Sequence, residues 1–103
     1  MQALWQAAHD GGADVVVTGH DHTYERFARL DAGGAVSGAG LRQFVSGLGG
    51  RSLHGFGAAK PGSEVRINDV FGVLELTLRA GAYDWRFVAE GGAVRDAGTD
   101  SCR

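Results

Sequence analysis

The sequence is short of cysteine, of long apolar runs and of net charge. Cys102 is its only cysteine, so no disulfide can close within the chain. That thiol stands next to the final residue and is either free or half of a bridge to a cysteine elsewhere. No apolar stretch approaches the roughly 18–20 residues that a membrane-crossing helix needs. The start, Met1-Gln2-Ala3-Leu4-Trp5, lacks the basic and then apolar segments of a secretory signal. The chain as written is therefore expected to stay where it is made, and localisation is left open for a longer, exported parent. Ten basic residues stand against twelve acidic ones, a net charge of -2, and the arginines are scattered. With no basic stripe, neither nucleic acid nor an anionic membrane is expected as a partner.

What is present is the composition of one small globular domain: 44% hydrophobic and 21% charged residues in 103. Glycine is in excess, 18 residues against an average of about 7%. These glycines cluster without a fixed period, which excludes collagen and repeat arrays and points to loops of demanding backbone geometry. Residues 2–10 read as a helix with Leu4, Trp5, Ala7 and Ala8 on one side, stopped by Gly11-Gly12. Ala13–Val17 is a short apolar run with β-branched Val15-Val16-Val17, expected as a strand buried on both faces. Helix, turn and strand make the second half of a βαβ unit.

Further strands are predicted at 24–30 and at 42–46, the latter ending in Gly47-Leu48-Gly49-Gly50. Residues 31–40 read as a flexible glycine-rich connection and 52–63 as loop. In 71–79 and 83–90 leucines and aromatics alternate with polar residues, which predicts an antiparallel hairpin. Face parity requires Leu74, Leu76 and Leu78 to oppose the aromatics, hence an even loop. Either Ala80-Gly81 or the four residues 80–83 satisfies this; the longer loop sets Arg79 opposite Asp84 and is preferred. A short third strand is expected at 93–97.

Chemistry concentrates at His20 and His22. In extended backbone, residues two apart share a side, so both imidazoles are expected to converge on one cavity at the carboxyl end of a strand. Crevices of that kind are where open α/β sheets bind ligands. Imidazole suits zinc, iron and manganese. Asp21 between them is expected to point away, toward supporting contacts.

The fuller string, Asp14-Val15-Val16-Val17-Thr18-Gly19-His20-Asp21-His22-Thr23-Tyr24-Glu25-Arg26, resembles the last metal-binding block of calcineurin-like metallophosphoesterases. The Gly-His-x-His-x-Tyr-Glu-Arg form is similar to the purple acid phosphatase branch. Phe44–Gly50 resembles that branch's Gly-x-Gly-Gly loop, and Phe71-Gly72-Val73-Leu74 its closing strand. The resemblance implies an α/β fold: the C-terminal part of a metallophosphoesterase β-sandwich with flanking helices, mostly antiparallel after one N-terminal helix. It makes 1–103 a partial domain whose partner is the missing N-terminal half. It implies His20 and His22 as metal ligands, one to each of two ions bridged by a carboxylate and a hydroxide. The ions would be two divalent metals or an Fe(III)/divalent pair, drawn from iron, zinc or manganese. Hydrolysis of a phosphate ester, in the first place a monoester, would be the parent's reaction.

The sequence departs from that pattern in a telling way. The family's other ligands come from Gly-Asp segments, a Gly-Asn-His-Glu segment and a further histidine, and this chain has no Gly-Asp or Gly-Asn dipeptide. Two neutral imidazoles lack the anionic bridge that holds two dications together. The isolated chain is therefore expected to be inactive and to bind metal weakly. The alternative is a non-catalytic, small β-rich metal-binding or interaction module. Tyr24, Arg26 and His54 are the candidates for substrate contact or support of the ligands. For Glu25 and Arg26, anchoring the loop through ion pairs is the favoured role. His9 reads as a surface residue. Gly47-Leu48-Gly49-Gly50 lacks the Lys-Ser/Thr of a P-loop and reads as a tight turn.

Overall fold

The computed structural model describes residues 2–103. Helix α1 (Gln2–Asp10) ends as the paired glycines predict. Gly12 stands at φ 88°, its amide donates to His9 O at 3.2 Å, and the Ala13 amide donates to Ala8 O at 3.0 Å. These two bonds form a Schellman stop around a left-handed residue.

Seven strands follow: β1 (Val15–Thr18), β2 (Tyr24–Phe27), β3 (Arg42–Ser46), β4 (Ser63–Ile67), β5 (Gly72–Arg79), β6 (Ala82–Ala89) and β7 (Val94–Ser101). They make two sheets, ordered β1-β3-β2-β4 and β5-β6-β7. Only β1 and β3 run parallel; every other pairing is antiparallel. The expected architecture is thus present, two mostly antiparallel sheets after one N-terminal helix.

Several details differ from expectation. β1 is not buried on both faces, since Val17 is 49% exposed and Val15 and Val16 are half-buried. It is the outermost strand of its sheet, and α1 buries none of its own residues. The 31–40 connection is not loose. Asp31 Oδ1 accepts the Gly33 and Ala35 amides at 2.9 and 3.0 Å, and Leu30 bridges both Val36 and Leu41. β4 takes Ser63 from the expected loop, with Val65 and Ile67 facing the core. β7 runs well past the expected 93–97 because β6 offers it a full edge.

The hairpin pairs Leu74 with Phe87, Leu76 with Trp85 and Leu78 with Tyr83, as parity demands. Its loop is Ala80-Gly81 and not the preferred four residues. Gly81 at φ 73° provides the left-handed backbone that so tight a connection needs. The charge pair that favoured the longer loop forms regardless, because Arg79 Nη2 reaches diagonally to within 2.7 Å of Asp84 Oδ1.

The sheets meet through aromatics. Tyr24, Phe44 and Ile67 face Tyr83, Trp85 and Phe87. Tyr24 stacks on Phe87 with ring centres 4.3 Å apart, and Phe44 meets Trp85 edge-on at 5.5 Å. A polar layer borders them. Asp96 of β7 accepts from Tyr24 OH at 2.6 Å and from Arg26 Nε and Nη2 at 2.8 and 3.2 Å. The guanidinium carbons of Arg26 and Arg42 lie 5.2 and 4.9 Å from the Trp85 ring centre. Gly98, two residues on from Asp96, lies flat against the indole, where an added Cβ would come within 2.8 Å of Cε2 and nearer still to Cζ2.

Burial raises the Asp96 carboxyl, but hydrogen bonds from Arg26 and Tyr24 more than reverse this and leave it below its ordinary value. Asp96→Asn is expected to cost roughly 2–3 kcal/mol near neutral pH, read from the urea midpoint. The folded carboxyl lies below its unfolded value of about 3.9, so its contribution is complete above that pH and is lost as pH falls through the folded pKa. The variant should accordingly show a flatter loss of stability below about pH 4. An acid limb identical to that of the unsubstituted chain would rule Asp96 out as the clamp.

Candidate functional site

Because β1 and β3 are parallel, their carboxyl ends lie together, and β2 begins at that same end with Tyr24 opposite Ser46. Residues Gly19–Thr23 carry the chain from β1 to β2 across the end of β3, which lies between them. The crossing is tight. A Cβ on Gly47, just past β3, would stand 2.6 Å from Gly19 O and closer still to Asp21 O, both main-chain atoms. The Gly47 amide donates to Thr23 O at 2.9 Å. Only a residue without a side chain leaves room for that bond.

The crossing is a turn, not extended chain. Strand geometry stops at Thr18 and resumes at Tyr24. The Thr23 amide donates to Asp21 O at 2.9 Å. With no positive φ outside glycine, this bond makes an inverse γ-turn with His22 at its centre. Strand alternation therefore does not set the directions of His20 and His22; the turn does.

His20 is exposed, and its ring makes no hydrogen bond among the described residues. His22 is half-buried and lies against a second loop. Its ring stacks on His54, centres 4.0 Å apart and planes 13° from parallel. His22 Nδ1 is 3.0 Å from Ser52 Oγ. The His22 amide donates to His54 Nδ1 at 3.1 Å, and the His54 amide donates back to His22 O at 3.1 Å. Asn68 Nδ2 holds His54 O at 3.0 Å.

A cavity of about 710 Å³ opens on the face of the first sheet that points away from the second. Thr18, Asp21, Glu25, Gln43, His54 and Arg66 are among its lining residues; His20 and His22 are not. Asp21 is at this cavity and the two histidines are not, so Asp21 is set apart from them as expected, while the imidazoles do not converge on this cavity. Glu25 accepts from Ser63 Oγ at 2.5 Å and lies 3.5 Å from Arg66 Nε.

Tyr24 and Arg26 lie between the sheets. Tyr24 is fully buried, and burial first, then the bond to Asp96, pushes its phenol above the ordinary value, so it remains a donor. Arg26 pairs with Asp96 and with Glu64. Both side chains anchor β2, the strand that receives the His turn. His54 is the one of the three candidates beside the His turn. Ser52 was not singled out from the sequence, where it is one polar residue in a loop; only the fold brings it to His22.

Among the described residues, no group of three or more His, Cys, Asp or Glu side chains is placed to hold a metal ion. His20 and the free Nε2 of His22 are suitable donors, and they fit a share of a centre, not a whole one.

Among solved structures, the chain is similar to a purple acid phosphatase, PPD1, isolated from yellow lupin (Lupinus luteus) seeds. The TM-score is 0.81 at 27% identity, over 97% of this chain and 19% of that one. The chain thus spans about a fifth of that phosphatase's length. No family model matches the chain, and no curated protein matches it. Shared fold and sequence point to a phosphoesterase-like origin.

Gly47→Ala should cost roughly 1–3 kcal/mol through the clash with the turn's carbonyls and should displace the His22–His54 stack. Urea denaturation and the imidazole NMR resonances read both effects; a variant with native stability and unshifted rings would show that the crossing tolerates a side chain.

Proposed function

We propose that this chain carries the closing His-x-His block of a metal-dependent phosphoesterase centre acting on phosphate monoesters, with the remaining donors outside these 103 residues. The observation that carries this reading is the likeness to a purple acid phosphatase in both fold and sequence. It is joined to a Gly-His-Asp-His turn lying at the carboxyl end of a parallel strand pair.

His20 and His22 are the residues that would hold metal. Bound metal ions supply Lewis-acid polarisation of phosphoryl oxygens and an acidified water. The chain's own contribution is positional. Gly47 seats the turn against β3, and Tyr24 and Arg26 fix the strand that follows it. Ser52 and His54 hold the His22 ring. Neither histidine brings negative charge, so a pair of dications needs carboxylates from elsewhere.

Structural zinc sites with four ligands bind with about 10–16 kcal/mol. Two imidazoles should supply roughly half, a Kd between about 1 μM and a few hundred μM. Calorimetric titration of the chain with zinc should fall in that range, and His20→Ala or His22→Ala should abolish the binding. With zinc, manganese or iron added, the chain alone should hydrolyse an aryl phosphate no faster than the metal-only blank. Metal-dependent turnover above the blank would show a complete centre within the chain. Zinc binding untouched by both substitutions would remove the ligand assignment.

A further inference from the structure

We infer that His54 is a fixed hydrogen-bond donor beside the His turn and not a metal ligand, and that Ser52 sets the ring tautomer of His22. Both are positioning residues. The ligand role of His22, and with it the tautomer that Ser52 sets, rests on the proposed function; the tautomer of His54 does not.

The argument begins with what each atom can do. A backbone amide can only donate. His54 Nδ1, 3.1 Å from the His22 amide, must therefore present its lone pair to that hydrogen. A neutral imidazole carries one proton, so in His54 that proton is on Nε2. The arrangement is held from several sides. The His54 amide returns a bond to His22 O at 3.1 Å, Asn68 holds the His54 carbonyl, and the two rings stack at 4.0 Å. Nδ1 is thus occupied and Nε2 is protonated, which leaves no lone pair for a metal. What His54 has at Nε2 is an N–H, a donor and not a ligand atom.

His22 has the complementary arrangement. Its Nδ1 faces a hydroxyl, Ser52 Oγ at 3.0 Å, which can accept as well as donate. When Nδ1–H donates to Ser52, the lone pair is on Nε2, which has no hydrogen-bond partner among the described residues. Metal-binding histidines usually fix their tautomer in this way, and loss of the outer partner weakens metal affinity by about 10–100-fold. With Ser52 as the acceptor, the two stacked imidazoles hold opposite tautomers, His22 with its lone pair on Nε2 and His54 with its hydrogen there.

The test is NMR of the ring-¹⁵N-histidine-labelled 103-residue chain at a pH of about 8, where imidazoles are neutral. His54 should show a protonated Nε2 and a bare Nδ1, and His22 the reverse. Added zinc alone should move the rings of His20 and His22 while the His54 nitrogens keep their metal-free pattern. Ser52→Ala should give His22 a mixed tautomer and lower zinc affinity by about 10-fold or more, and Ser52→Thr should restore both. A protonated Nδ1 on His54, or direct zinc binding to that ring, would overturn the assignment of His54. Unchanged zinc affinity in Ser52→Ala would overturn that of Ser52. If zinc moves none of the three rings, the proposed metal centre fails, while the tautomer of His54 is still decided by the metal-free spectrum.

Discussion

The contact on which the rest depends is the one Asp96 makes across the two sheets. A single carboxylate accepts from a fully buried phenol and from the Nε–Nη2 edge of a guanidinium. All three groups lie beside aromatic rings that exclude water. Charge-assisted bonds of this kind are strong and directional, so β7 and β2 are fixed in register as well as in distance. Tyr24 is the second residue after His22, so the end of the His turn is pinned by the same bond. The far end of the chain thereby determines where the histidines stand.

Much of this fold can be read from the residues alone, wherever side-chain patterns are local. The helix and its glycine stop, the β3 strand and the leucine–aromatic face of the hairpin all follow from periodicity. The parts that could not be read depend on partners distant in sequence. β7 has little apolar content, and its alternate residues Asp96, Gly98 and Asp100 face the interior because arginines and an indole wait there. Its core-facing role cannot be recognised without them. β4 is short and adjoins a run of turn residues. The exposure of Val17 is invisible to a reading that knows only that three valines succeed one another.

The candidate site was legible in kind and less so in geometry. The Gly-His-Asp-His string lies on a turn at the carboxyl ends of β1 and β3, and the chain's neighbour in fold is a phosphatase. The rule of alternating sides did not apply, because the γ-turn at His22 replaces strand backbone over the residues concerned. The contribution of residues 52–54 comes entirely from tertiary structure. A loop that reads as an unremarkable connection holds one histidine by its backbone, its ring face and its Nδ1 at once. Tyr24 and Arg26, close to the two histidines in sequence, turn inward and serve the sheet interface.

The outermost strands carry a further consequence. β1 has no neighbour beyond it, and β5 ends its own sheet. Val17, Val73 and Leu78 on these two strands are 49%, 59% and 77% exposed. Open rows of amides and carbonyls flanked by oily side chains are templates for any passing extended segment. A preparation of this chain alone would accordingly grow stickier with concentration, joining copies flank to flank. Covering those flanks with further polypeptide would do as much for its colloidal behaviour as for its chemistry.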